Sequence, residues 1–152
     1  VEFKVIFVPG HTNGHIAFYF EKEKVLFSGD TLFSLGCGKI FEGTHKDMFN
    51  SLNKLKSLSP DTKIYCGHEY TKKNYDFCIK YDPENSFLKE KAKLINSKLK
   101  DNLPTVPSNL TDELKTNVFL RCNDKGLKQT LNLKDCSDQE IFTKLRDLKD
   151  TF

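Results

Sequence analysis

The 152-residue chain has no CxxC pair, and its five cysteines, Cys37, Cys66, Cys78, Cys122 and Cys136, are odd in number and widely spaced. That argues against a zinc ribbon and a disulfide framework, and it fits a reducing compartment. No apolar run approaches the roughly 20 residues of a membrane span, and no signal peptide is visible. Charge is not concentrated either. The formal net charge of +3 comes from lysines scattered along helical stretches, so neither a nucleic-acid footprint nor a membrane partner is indicated. There is no internal repeat, no low-complexity linker and no Ser-His-Asp or Cys-His arrangement. The chain opens in mid-strand without a methionine, which reads as a fragment of a longer protein. What remains is a globular chain long enough to bury a core, with 13 phenylalanines.

Apolar runs VEFKVIFV, IAFYF and VLFSGD read as strands, the last two joined by a turn at EKEK. The segment TLFSLGCGKIFEG carries too many glycines for a plain strand and reads as a functional loop. Thr44 and Asp47 then frame a capping box, with Met48, Phe49, Leu52, Leu55 and Leu58 at helical spacing. After Ser59-Pro60-Asp61 comes a short strand, TKIYCGH, and a helix expected over about 71–81. A Lys-rich helix is expected over 84–100 with Phe87, Leu88, Ile95 and Leu99 as its apolar positions, then PTVPSN as a loop. Ser137 and Glu140 cap a last helix with the stripe Ile141, Leu145 and Leu148. Strands with helices come first and helices alone follow, dividing the chain at 1–83 and 84–152.

Three strands end in the same way: apolar residues, glycine, then a side chain able to bind metal. They are Gly10-His11, Gly29-Asp30 and Gly67-His68. Glycine permits a sharp turn at the strand end, and the next residue projects from the sheet rim. Two imidazoles and one carboxylate suit zinc or iron, which accept nitrogen and oxygen donors together. Three unrelated polar strand ends, with the aspartate as a cap or turn residue, is the competing reading.

In that order, HTNGH, SGDTLF, GCGKIFEGT and YCGHEYT, with a late Arg-x-x-Lys, resemble the carboxy-terminal part of the glyoxalase II (hydroxyacylglutathione hydrolase) family, along essentially the whole chain. The resemblance implies an α/β fold: the C-terminal half of a metallo-β-lactamase αββα sandwich, followed by a mainly helical, glutathione-binding region. It implies two divalent metal ions, zinc first with iron or manganese as alternatives. His11 would bind one, His68 the other, and Asp30 would bridge both as the catalytic carboxylate. His15 would be a turn-fixing residue, not a ligand. The family's remaining ligands sit in an HxHxDH motif that this chain lacks, so the isolated chain is expected to be inactive and metal-free.

The implied reaction is hydrolysis of S-D-lactoylglutathione in methylglyoxal detoxification, in the cytoplasm unless a leader upstream of Val1 redirects the protein. The implied substrate contacts are Lys39, Tyr70, Arg146 and Lys149, plus Phe41 at a position where the family often has a tyrosine. Arg146 and Lys149 are three apart, share a helix face, and would lie beside the buried stripe. Cys37 reads as a small loop residue, since no base stands beside it. The alternatives are a single-iron persulfide dioxygenase of the same fold and a non-catalytic glutathione-binding module. Inward side chains among Phe3, Val5, Phe7, Ile16, Phe18 and Phe20 would leave an apolar face that favours self-association.

Overall fold

Alternation of apolar side chains builds one sheet, and the computed structural model describes all of residues 1–152. Strands β1 (Lys4–Phe7), β2 (Ile16–Phe20) and β3 (Val25–Gly29) form an antiparallel meander. Beyond it, β6 (Lys63–Cys66) pairs parallel to β3, and β7 (Ser108–Asn109) pairs antiparallel to β6. Between β3 and β6 the chain makes a small hairpin, β4 (Leu32–Phe33) with β5 (Gly36–Cys37), and then helix α1 (His45–Lys56).

Period-two alternation sends Ala17, Tyr19, Leu26, Ser28 and Ile64 to the inner face, all buried, where Met48, Leu52 and Leu55 of α1 join the same core. Helix α1 starts where the sequence indicates. The Thr44 side chain accepts from the Asp47 amide, and the Asp47 carboxylate accepts from the Thr44 amide. Helix α2 (Thr71–Tyr81) also has the expected bounds, and α6 (Asp138–Asp150) is capped by Ser137 and Glu140. The remaining helices are α3 (Ser86–Lys100), α4 (Leu110–Thr116) and α5 (Lys125–Thr130).

Five local expectations need correction. PTVPSN is not wholly loop: Ser108 and Asn109 return to the sheet as an edge strand, which tolerates the neighbouring Pro107. The glycine-rich segment contains a hairpin, because Glu113 on α4 accepts from the Leu35 amide at 2.8 Å and from the Ser34 hydroxyl at 3.2 Å at its turn. On α3 only Leu88 and Ile95 are buried, while Phe87 and Leu99 lie open to solvent. Leu58 falls beyond the end of α1, and Leu148 is only half-buried. One apolar cluster runs from Val8 to Leu145, so the helical region and the sheet share a core.

Candidate metal centre and anion pocket

Each of the three glycine-preceded side chains reaches the same rim of the sheet. His11 follows β1, Asp30 comes directly after β3 and His68 lies two residues past β6, and the parallel pairing of β3 with β6 brings the last two side by side. Asp30 Oδ2 lies 3.4 Å from His11 Nε2 and 3.5 Å from His68 Nε2. Two donors on one metal at about 2.1 Å are roughly 3.4 Å apart at the tetrahedral angle, so both spacings suit shared coordination. The chain closes no cage of three or more donors. It supplies one carboxylate oxygen flanked by two imidazoles, which fits a carboxylate shared between two half-sites.

Ring orientation supports the donor assignment. His11 Nδ1 is 2.7 Å from the Lys39 carbonyl oxygen, which can only accept, so Nδ1 carries a proton and Nε2 is the nitrogen left to bind a metal shared with Asp30. His15 is arranged the other way. Its Nε2 accepts the Asp30 amide at 3.1 Å, which occupies the lone pair and ties the 11–15 turn to the end of β3. Two glycines make this packing possible. Gly29 has φ +53°, and a Cβ there would lie 2.6 Å from His15 Nε2. At Gly67 the backbone is ordinary, but a Cβ would collide with Asp30 Oδ1.

Tyr70 stacks on the His68 ring with centroids 5.0 Å apart, and Phe33 packs edge-on against Tyr70. Phe41, largely exposed, sets its ring against His11 at 5.1 Å. Beside this rim opens a cavity of about 300 Å³ lined by Phe33, Cys37, Lys39, Tyr70, Lys73, Asn74, Arg146 and Lys149. Four cations face it and no carboxylate lines it. Lys149 is half-buried, and burial followed by the nearby Arg146 charge pushes its ammonium pKa below the ordinary lysine value. An anion in the cavity would favour the charged ammonium and oppose that shift.

The structure thus gathers Lys39, Tyr70, Arg146 and Lys149 around one space, with Phe41 at the adjoining rim. It changes the setting of Arg146, which lies within the buried stripe of α6 rather than beside it and is only 4% exposed. Its NH1 donates to the carbonyls of Cys37 (2.9 Å) and Gly38 (3.3 Å), and its NH2 to Asp150 (3.0 Å). Cys37 is buried beneath it, and desolvation raises the thiol pKa despite the guanidinium. Sequence reasoning passed over Lys73, for which a signal existed. The first turn of α2 has two lysines, no acid and no side-chain cap, an unfavourable pairing with the positive end of a helix dipole. His45 pairs with Asp147 at 2.8 Å, tying α1 to α6 at the surface.

Two family models divide the chain: residues 1–68 match the metallo-beta-lactamase superfamily, and residues 69–152 match the hydroxyacylglutathione hydrolase C-terminus. A hydroxyacylglutathione hydrolase of Pelagibacter ubique (strain HTCC1062) is 56% identical over 98% of this chain and 56% of its own length. One of Chelativorans sp. (strain BNC1) is 49% identical over 99% of this chain and 59% of its own length. Among solved structures, ETHE1 from Myxococcus xanthus is similar in fold, with a TM-score of 0.55 and 19% identity, covering 96% of this chain and 45% of that one.

Proposed function

Since this chain belongs to the hydroxyacylglutathione hydrolase family, we propose that the protein carrying it hydrolyses 2-hydroxyacyl thioesters of glutathione, S-D-lactoylglutathione foremost, within methylglyoxal detoxification. The chain spans little more than half the length of the curated relatives it matches, and the reaction is assigned to the protein as a whole. The observation that carries the reading is a cationic, carboxylate-free pocket opening beside a His–Asp–His rim.

In the reaction, water adds to the acyl carbon, the C–S bond breaks, and the products are the hydroxy acid and glutathione thiol. A thiol has a pKa of about 8.5, so its thiolate leaves without strong acid assistance. Metallo-beta-lactamase relatives work with divalent metal ions. Bound here, zinc, or iron or manganese in its place, would activate water and polarise the thioester carbonyl. His11 and His68 would each hold one ion and Asp30 both. The chain's other residues bind and orient. Lys39, Lys73 and Lys149 draw the glutathione carboxylates into the pocket, and Tyr70 fixes the His68 ring by stacking. Phe41 can pack against the peptide but offers no hydroxyl; a missing neutral hydrogen bond costs about 0.5–1.5 kcal/mol.

With the division at 1–83 and 84–152, the helical part supplies Arg146 and Lys149, and the first part supplies Phe33, Lys39, Tyr70 and Lys73. The two bind glutathione jointly. Unpaired cysteines favour a reducing compartment, for which we take the cytoplasm, and no helix is long and apolar enough to cross a membrane.

The test is thioester hydrolysis by the intact protein, wild type and Asp30→Ala, with metal content measured on both. We expect turnover of S-D-lactoylglutathione without oxygen uptake, and loss of metal together with turnover in the variant. Oxygen consumption with glutathione persulfide and no thioester hydrolysis would replace this reading with a dioxygenase.

A further inference from the structure

We propose that Arg146, besides walling the pocket, is a positioning residue for His11, acting through the segment Cys37–Lys39. The inference rests on the metal-centre reading above. Its links are consecutive hydrogen bonds. On one side, the guanidinium holds two successive carbonyls, Cys37 O and Gly38 O, while Asp150 holds the guanidinium. On the other, the next carbonyl in the chain, Lys39 O, receives the His11 Nδ1 proton at 2.7 Å. The segment is fastened to the rim at two more points. The Gly38 amide donates to Thr31 O at 3.1 Å, beside Asp30, and the Phe41 amide donates to His11 O at 3.2 Å.

Gly38 sits so close to Asp30 that a Cβ there would collide with the Asp30 carbonyl oxygen. The loop therefore has little room to shift without moving the ligands. Glycines on either side of Cys37 leave its backbone intrinsically free, so the conformation must be imposed from outside. Among the side chains, the buried guanidinium is what grips these two carbonyls. Its planar fork suits the task, because it bonds the carbonyls and Asp150 at once, which a single ammonium at the end of a flexible stem does less well. The carbonyl that orients a metal-binding histidine belongs to the surroundings whose loss weakens metal affinity by about 10- to 100-fold. Nε of Arg146 is buried without a partner, so the guanidinium is not fully used by the chain alone.

The test uses the intact protein with Arg146→Lys and, as a milder variant that keeps the guanidinium, Asp150→Asn. The first readout needs no metal: the ring N–H of His11, followed by nitrogen-15 NMR as a slowly exchanging Nδ1 proton. The second is zinc titration by calorimetry, and the third is binding of S-methylglutathione. We expect both variants to lose or broaden the His11 ring proton. Zinc affinity should fall about tenfold or more in Arg146→Lys. Lys149→Ala should weaken S-methylglutathione binding and leave the His11 signal intact. An unchanged ring proton and unchanged zinc affinity in folded Arg146→Lys and Asp150→Asn would overturn the positioning role. If the intact wild-type protein binds no zinc, the metal-centre reading fails, while the ring proton still decides whether Arg146 fixes His11.

Discussion

Substituting Phe18 by lysine tests the face of the sheet that points away from α1. Phe3, Val5, Phe7, Ile16, Phe18, Phe27 and Tyr65 are each between 36% and 57% exposed, and the rings of Phe3, Phe18, Phe20, Phe27 and Tyr65 form a connected array. Phe3 meets Phe18 at 5.5 Å, Phe3 meets Phe20 at 5.4 Å, and Phe27 stacks on Tyr65 at 5.3 Å. Aromatic side chains present about 150–250 Å² each, so this face leaves roughly 600 Å² of apolar surface uncovered, at the upper end of what monomers show. Two copies face to face would bury about 1,200 Å², the lower end of specific interfaces. Phe18 lies near the middle, opposite Val5 and Phe27 in the strand register. Its exposed part, roughly 70 Å², is worth about 2 kcal/mol per copy at 25 cal/mol per Å², and the lysine charge adds to the loss. A symmetric dimer loses this twice, which raises Kd by two to three orders of magnitude. Sedimentation and light scattering on the 152-residue chain should show self-association of the wild type at micromolar concentration and a monomer for Phe18→Lys. A wild type that stays monomeric at about 100 μM would refute the area argument.

Glu113→Ala should lower the thermal midpoint by roughly 10 °C. It strands Lys91, now paired at 3.2 Å, and unties the Leu35 amide; losing one partner of a buried pair costs about 3–5 kcal/mol. Calorimetric melting of variant against wild type reads this directly. Thiol labelling at neutral pH should reach Cys136 first and spare Cys78 and Cys122, whose burial pushes their pKa up to about 12. Mass spectrometry after brief alkylation reports the order. The Ser137 side chain and then its amide hold the Glu140 carboxyl below its ordinary pKa, so the capping box stabilises the fold above the usual carboxylate range. That contribution is lost as pH falls through the lower folded value. The melting difference between wild type and Glu140→Gln should therefore be steady near neutrality and shrink in acid.

Local chemistry was enough for much of this protein. The capping boxes at Thr44 and Ser137, the bounds of α2 and the three strand-glycine-ligand endings involve residues within a few positions of each other, where backbone preference and periodicity act directly. The same endings made His11, Asp30 and His68 candidates before any distance was known. Other features depend on contacts between distant parts of the chain. The hairpin at Ser34-Leu35 is held by a carboxylate 78 residues beyond Leu35, and Arg146 is buried because it meets carbonyls more than a hundred residues earlier. β7 is two residues long, too short for any period to show, and becomes a strand only because β6 offers it an edge. Lys73 joins the pocket because α2 starts beside His68. The sequence determined which side chains could bind metal or anions; tertiary structure decided which of them meet, because hydrogen bonds and packing between distant segments have no local signature.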